Sequence, residues 1–278
     1  MEVLEIRKEI VLNLKQELPE LVDKFNPFIL TVLKSKKNKV SVIKFNKQTE
    51  RFPKEIVVKI FRTKNADIEY ETLNRLKDQD ISVPRIIYYK NPFLILEKVK
   101  GINLCDYINE KLRKQGSLDE LDGETKKKIN QSIPILAAWI AQFHTKNIIA
   151  NKHDEDITVL NKGDARIRDF IYEETEEVIS GTDFEDCYQG NHMDDLAWVC
   201  CSLLDTNPGI FEMNDPRIKI DLINLFLKSY YNINNEFTFN YKYFAEKLLD
   251  NLNEVIKRRG LSITINKSNF IEEISKNI

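Results

Sequence analysis

No run of about eighteen apolar residues occurs anywhere in this chain, so no segment reads as a membrane-spanning helix. The opening MEVLEIRKEIVLNLKQELPEL sets charges among its leucines and lacks the unbroken apolar core of a secretory signal. A soluble, cytoplasmic protein is therefore expected. Cysteine is scarce: Cys105, Cys187, Cys200 and Cys201 show no C-x-x-C spacing, which argues against a zinc site or a disulfide framework and for reduced thiols that pack. The three histidines, His144, His153 and His192, share no metal-ligand spacing, and His144 reads as a packing or capping residue at the end of a buried helix. Neither sign of charge dominates, since 42 basic and 44 acidic residues leave a formal charge of -2 and no general attraction to nucleic acid. Internal repeats and low-complexity linkers are also missing.

What is present is a chain of 278 residues, 42% hydrophobic, long enough for one large domain or two lobes. Leucine spacing over residues 3–22 predicts an amphipathic helix. Three β-branched runs follow, FILTVLK, KVSVIKF and EIVVKIF, separated by turn-like SKKN and NKQTERFP, and predict an antiparallel meander. A helix is expected over about 66–79, then two strands in RIIYYK and FLILEKV around the turn at Asn91 and Pro92. After Gly101 the pattern turns helical, over about 103–115 and 124–147, then 192–205, 215–232 and 240–258, with a tail at 268–276. The run IPILAAWIAQFH is apolar on most faces and implies a second buried core, with Trp139 and Trp198 at core positions. The expected fold class is α+β and bilobal, with a small antiparallel sheet in an N-lobe of residues 1–98 and a mainly helical C-lobe of residues 99–278.

Between the helices lies NKGDARIRDFIYEETEEVISGTDFED. Asp164 and Asp169 stand in D-x-x-x-x-D spacing just ahead of the apolar Phe170-Ile171-Tyr172. EVISGTDFED can return as a hairpin partner that brings Asp183 beside them. Carboxylates held together ask for a positive partner, and the candidates are a metal ion, the neighbouring Arg166, Arg168 and Lys162, or nothing more than water on a polar surface. Two of them suit magnesium, a hard cation that takes oxygen ligands, and the third can accept a proton from a hydroxyl.

This order of motifs resembles the protein-kinase-like fold, and most closely the aminoglycoside phosphotransferase and choline kinase family. The family's H-G-D-x-x-x-x-N loop is matched by Lys162-Gly163-Asp164-Ala165-Arg166-Ile167-Arg168-Asp169, with lysine for histidine and aspartate for asparagine. The resemblance implies that Asp164 is the catalytic base, that Asp169 and Asp183 hold Mg2+, and that Arg166 steadies charge on the transferred phosphoryl. MDDLAWV resembles the family's D-L-A helix, with Asp195 bracing the loop. In the first half EIVVKIF resembles the strand of the ATP-binding lysine, here Lys59, and DIEYETLNRL the helix of its glutamate partner. Glu69 rather than Glu71 is expected to pair with Lys59, because it shares the inward helix face with Leu73 and Leu76. FLILEKVKG resembles the hinge, whose backbone at Glu97 and Val99 would meet adenine. The turn LKSKKNKV has lysines in place of the glycines that usually approach phosphate.

The resemblance implies transfer of the γ-phosphoryl of ATP to a hydroxyl of a small molecule, with ATP and Mg2+ as cofactor and metal. A nucleotide-binding pseudokinase or regulator is the alternative, and a protein kinase a lesser one, because no long activation segment or A-P-E motif follows Asp183. Asp186, Asp194, Glu185 and Glu212 permit an acidic acceptor site without requiring one.

Overall fold

The computed structural model describes residues 2–19, 27–33, 35, 37–47, 52–112, 121–152, 156–207, 209–210 and 217–261. Lys34, Lys36, His153, Glu212 and the helical tail expected at 268–276 lie outside the described residues. The chain divides into two compact units, Met1–Asp78 with Val83–Val99, and Gln79–Ser82 with Lys100–Ile278.

The first unit is built on a five-stranded antiparallel sheet of β1 (Phe28–Leu33), β2 (Lys39–Phe45), β3 (Glu55–Ile60), β4 (Ile86–Lys90) and β5 (Phe93–Glu97), in the order β1-β2-β3-β5-β4. Successive strand residues point to opposite faces. Leu30, Ile43, Phe45, Ile56, Val58, Ile60, Phe93 and Ile95 therefore share one face, and α1 (Glu2–Glu17) covers it with Ile6, Ile10 and Leu14. Those three recur every fourth residue, so they form one helix stripe. Each fully buried side chain of this kind contributes about 1.5–3 kcal/mol. The alternation that buries Val58 sends Val57 and Lys59 to the other face, where α2 (Ala66–Asp78) packs with Glu69, Leu73 and Leu76 buried.

In the second unit β6 (Ile102–Asn103) leads into α3 (Leu104–Leu112) and then α4 (Gly123–Lys146), which Asp122 caps by accepting from the Thr125 N–H at 2.9 Å and which continues through Pro134. The helices of this half are interrupted by two small antiparallel sheets, one of which extends the expected hairpin. One joins β7 (Ile148–Lys152), β8 (Asp156–Asn161) and β11 (Tyr188–Asn191) in the order β11-β8-β7; the other joins β9 (Phe170–Glu173), β10 (Val178–Gly181) and β6 in the order β10-β9-β6. The β-branched run ITVL of β8 carries the strand signal, while β11 (YQGN) has none and is strand only because β8 offers it a ladder. Helices α5 (Met193–Asp205), α6 (Arg217–Ile233) and α7 (Tyr241–Arg259) complete the unit. The four-residue segment Gln79–Ser82 belongs here because the Ser82 carbonyl accepts from Trp139 Nε1–H at 2.9 Å and from the Gly181 N–H at 3.1 Å. All four cysteines are free thiols, with Cys200 and Cys201 buried on α5. No helix among the described residues is long and apolar enough to cross a membrane.

Candidate active site

In the first unit the Lys59 ammonium lies 2.5 Å from Glu69 Oε2, with both side chains buried. Glu71 is exposed, so the helix face separates the two glutamates as expected. Such a pair loses the hydration of both charges and repays it only through close contact, which makes it an unusual feature for a small sheet. Val57, two residues before Lys59, shares its face, and Leu94 and Leu96 of β5 alternate onto the same side. Glu97 ends β5 with its N–H on the Arg85 carbonyl at 2.9 Å and its carboxylate on Arg85 Nε at 2.9 Å; Val99 is the last residue of the unit. The β1–β2 turn is fastened differently from a glycine loop. Asn38 is buried and accepts from the Arg62 N–H at 3.1 Å, and Lys39 pairs with Glu9 of α1 rather than standing free.

In the second unit the loop that follows β8 carries Asp164. Gly163 has φ +91°, and a Cβ there would come within 2.2 Å of the Asp186 carbonyl oxygen, so only glycine permits this turn. Asp195 of α5 is fully buried and holds the loop: Oδ2 accepts from the Lys162 N–H at 2.6 Å and Oδ1 from the Gly163 N–H at 3.0 Å. His144 Nε2 stands 3.2 Å from the same Asp195 Oδ2, and its Nδ1 2.8 Å from the Tyr230 hydroxyl. His144 is thus a wholly buried link in a hydrogen-bonded chain. Ile167 and Ala165 are buried, and the Ile167 N–H donates to Ser202 Oγ at 3.1 Å, which ties the loop to α5 a second time.

The loop and the β9–β10 hairpin bring the predicted carboxylates together. The register pairs Gly181 with Phe170, and the Thr182 N–H and hydroxyl donate to the Asp169 carbonyl at 2.8 and 2.9 Å, so Asp169 and Asp183 flank the open end of one hairpin. Trp139, Phe143, Phe170 and Phe184 form the wall behind it, with Trp139 centroids 5.4 Å from Phe143 and 5.3 Å from Phe170. Asp164 pairs with Arg166 through Oδ2, while its Oδ1 is buried without a hydrogen-bond partner among the described residues. Asp183 is exposed and has φ +64°, a left-handed conformation that costs a non-glycine residue about 1–2 kcal/mol. Burial raises the Asp169 carboxyl to about 6; Lys162 opposes that shift, and Asp183 and Asp164 add to it.

Two residues named in the sequence reading take a sharper place in the structure. Glu185 is buried and places a carboxylate oxygen within 4.8 Å of one from Asp183, in D-x-E spacing. Lys162 is 1% exposed, with its ammonium 2.9 Å from the Asp183 carbonyl oxygen and 3.8 Å from Asp169 Oδ2. Elsewhere the structure removes candidates. Asp194 accepts from the hydroxyls of Tyr188 at 3.0 Å and Tyr243 at 2.7 Å, so it is a buried anchor and not part of an open acidic surface. His192 is buried against Tyr230, Tyr231 and Phe237, and burial lowers its pKa to about 3. Trp198 is half-buried beneath the Arg258 guanidinium, 5.8 Å from its ring centroid, and not a core residue.

An all-oxygen donor set of this kind matches what a hard divalent cation takes, and the orphaned oxygen of Asp164 is the atom a hydroxyl could bond. The fold is protein-kinase-like, as in the aminoglycoside phosphotransferases and choline kinases. The chain is similar to APH(2")-IIa in its ternary complex with streptomycin and ATP, at 15% identity and TM-score 0.55, over 91% of this chain and 94% of that one. It is similar to the aminoglycoside phosphotransferase APH(3'')-Id from Streptomyces rimosus in complex with ADP and streptomycin, at 13% identity and TM-score 0.56, over 86% and 98% of the two chains. The choline kinase LicA from Streptococcus pneumoniae matches at 13% identity and TM-score 0.55, over 96% of each chain. No protein-family model matches the chain, and no curated protein matches its sequence.

Proposed function

We propose that this protein is an ATP- and Mg2+-dependent phosphotransferase that moves the γ-phosphoryl of ATP to a hydroxyl of a small molecule. The observation that carries the reading is the convergence of Asp164, Asp169 and Asp183 on one loop and one hairpin, with the Asp164 Oδ1 left unpartnered. Its fold neighbours include proteins solved with ATP, with ADP and with streptomycin, which agrees with this class and leaves the acceptor open.

Lys59, held by Glu69, binds the α- and β-phosphates, and the apolar sheet face around Val57 takes the purine, with backbone groups of Glu97 and Val99 at its edge. Asp183, with Glu185 beside it, would hold the Mg2+ ion, which when bound neutralises phosphate charge, and Asp169 lies near enough for its charge to be felt there. Asp164 accepts a hydrogen bond from the acceptor hydroxyl, aligns its oxygen with the γ-phosphorus and takes the proton as the new P–O bond forms and ADP leaves. Arg166, already paired with Asp164, lies two residues away and steadies charge on the phosphoryl oxygens.

The test is an ADP-release assay against a panel of amines, sugars and aminoglycosides that bear hydroxyls, run beside a thermal-shift titration with ATP and Mg2+. Asp164→Asn is expected to lower turnover about 10²–10⁴-fold with the nucleotide-induced shift nearly unchanged. Wild-type turnover in that variant removes Asp164 as the base. A second reading, a nucleotide-binding regulator, draws on the glycine-free β1–β2 turn and the engagement of Lys39 with Glu9. Nucleotide binding without turnover on the whole panel would favour it.

A further inference from the structure

The mechanism just given leaves Lys162 unused, although it is among the most deeply buried charged groups in the chain. A lysine 1% exposed either sheds its proton or finds compensation, because the desolvation of an ammonium costs several kcal/mol. Compensation is visible on every side. The ammonium donates to the Asp183 carbonyl oxygen at 2.9 Å, lies 3.8 Å from Asp169 Oδ2, and faces the rings of Phe170 at 5.7 Å and Phe184 at 5.5 Å.

These contacts close a ring. Asp169 is joined to Thr182 through its carbonyl, Thr182 is the chain neighbour of Asp183, Asp183 accepts from Lys162, and Lys162 faces the Asp169 carboxylate. The carbonyl that Lys162 holds belongs to the one residue of the ring in left-handed backbone. Strain of that kind persists only where surrounding contacts over-determine it. Removing the ammonium takes away one of the contacts that hold the Asp183 backbone. Removing the Asp169 carboxylate takes away the charged group that faces the ammonium at 3.8 Å.

We propose that Lys162 and Asp169 form a coupled positioning pair, in which the ammonium aims Asp183 at the divalent cation and Asp169 serves chiefly as the anchor that keeps the ammonium in place. The inference rests on the reading of Asp183 as a cation ligand. It departs from what the family resemblance implies for Asp169, which here acts on the cation mostly through Lys162.

The experiment is a double-mutant cycle on binding rather than turnover. Mn2+ binding to the full chain, with and without ATP, is followed by the paramagnetic resonance signal of free Mn2+ for wild type, Lys162→Met, Asp169→Asn and the double variant, with thermal unfolding of each. Each single change is expected to weaken Mn2+ binding about tenfold or more, and the double variant to be no weaker than the poorer single one, which is the signature of shared function. Multiplying losses in the double variant make Asp169 an independent ligand and overturn the pairing. A Lys162→Met protein that melts lower yet binds Mn2+ as wild type reduces Lys162 to a packing role and also overturns it. Lys162→Gln, which keeps a donor and removes the charge, replaces Lys162→Met if that protein does not fold, with the same expected losses. A wild type that binds no Mn2+ defeats the proposed function itself, a result distinct from either outcome above.

Discussion

Replacing Asp195 by asparagine tests the loop architecture with almost no change of shape. The carboxylate is fully buried and serves three groups: Oδ2 meets the Lys162 N–H at 2.6 Å and His144 Nε2 at 3.2 Å, and Oδ1 meets the Gly163 N–H at 3.0 Å. His144 donates from Nε2, because the Asp195 carboxylate it faces can only accept. Asparagine has one oxygen. Its better placement puts that oxygen toward Lys162 and His144 and turns the amide NH2 against the Gly163 N–H. One buried donor is then orphaned, at about 1–3 kcal/mol, and the two surviving bonds lose their charge assistance, at about 1 kcal/mol each. The sum is about 3–5 kcal/mol, which for a chain of this length lowers the melting temperature by about 10 °C. Differential scanning calorimetry of wild type and Asp195→Asn measures it. A shift below about 2 °C would refute the claim that Asp195 is the structural hub of the loop.

Two further outcomes are expected. Lys59→Met or Glu69→Gln breaks a buried ion pair and costs about 3–5 kcal/mol, whereas the double change Lys59→Met with Glu69→Leu recovers most of that stability but not the thermal shift induced by ATP and Mg2+; a full shift in the double variant removes Lys59 from nucleotide binding. His192 is held neutral, its folded pKa of about 3 lying below the unfolded value of about 6.5. Its contribution to stability is therefore complete above pH 6.5 and is lost as pH falls toward 3, with a slope of about 1.4 kcal/mol per pH unit. Urea unfolding at pH 7, 6 and 5 checks this, since His192→Phe should flatten the slope, and an unchanged slope assigns the acid sensitivity to other groups.

How much of this could be read from the chain depends on where the signal resides. The strands of the first unit were legible because β-branched runs alternate between turns, and α2 because Glu69, Leu73 and Leu76 share a period. The D-x-x-x-x-D spacing and the return of Asp183 were legible because a hairpin forces its two ends together. The β8–β11 ladder was not, since YQGN has no strand preference of its own and pairs only where β8 exposes an edge. Glu185 and Asp194 looked alike as acidic residues near one motif, yet one approaches Asp183 and the other is consumed by Tyr188 and Tyr243.

Residue order and hydrophobic period are local properties, and they sufficed for the fold class, for choosing Glu69 over Glu71 once the resemblance implied a partner for Lys59, and for the clustering of three aspartates. Which charge meets which partner is a property of folded space. A lysine in a loop and an aspartate seven positions later, Lys162 and Asp169, face each other at 3.8 Å because β8, the 3-10 turn over Ile167–Asp169 and the Asp183 turn converge behind an aromatic wall. Burial magnifies each such contact, and burial is set by the packing of distant segments rather than by any short stretch of chain.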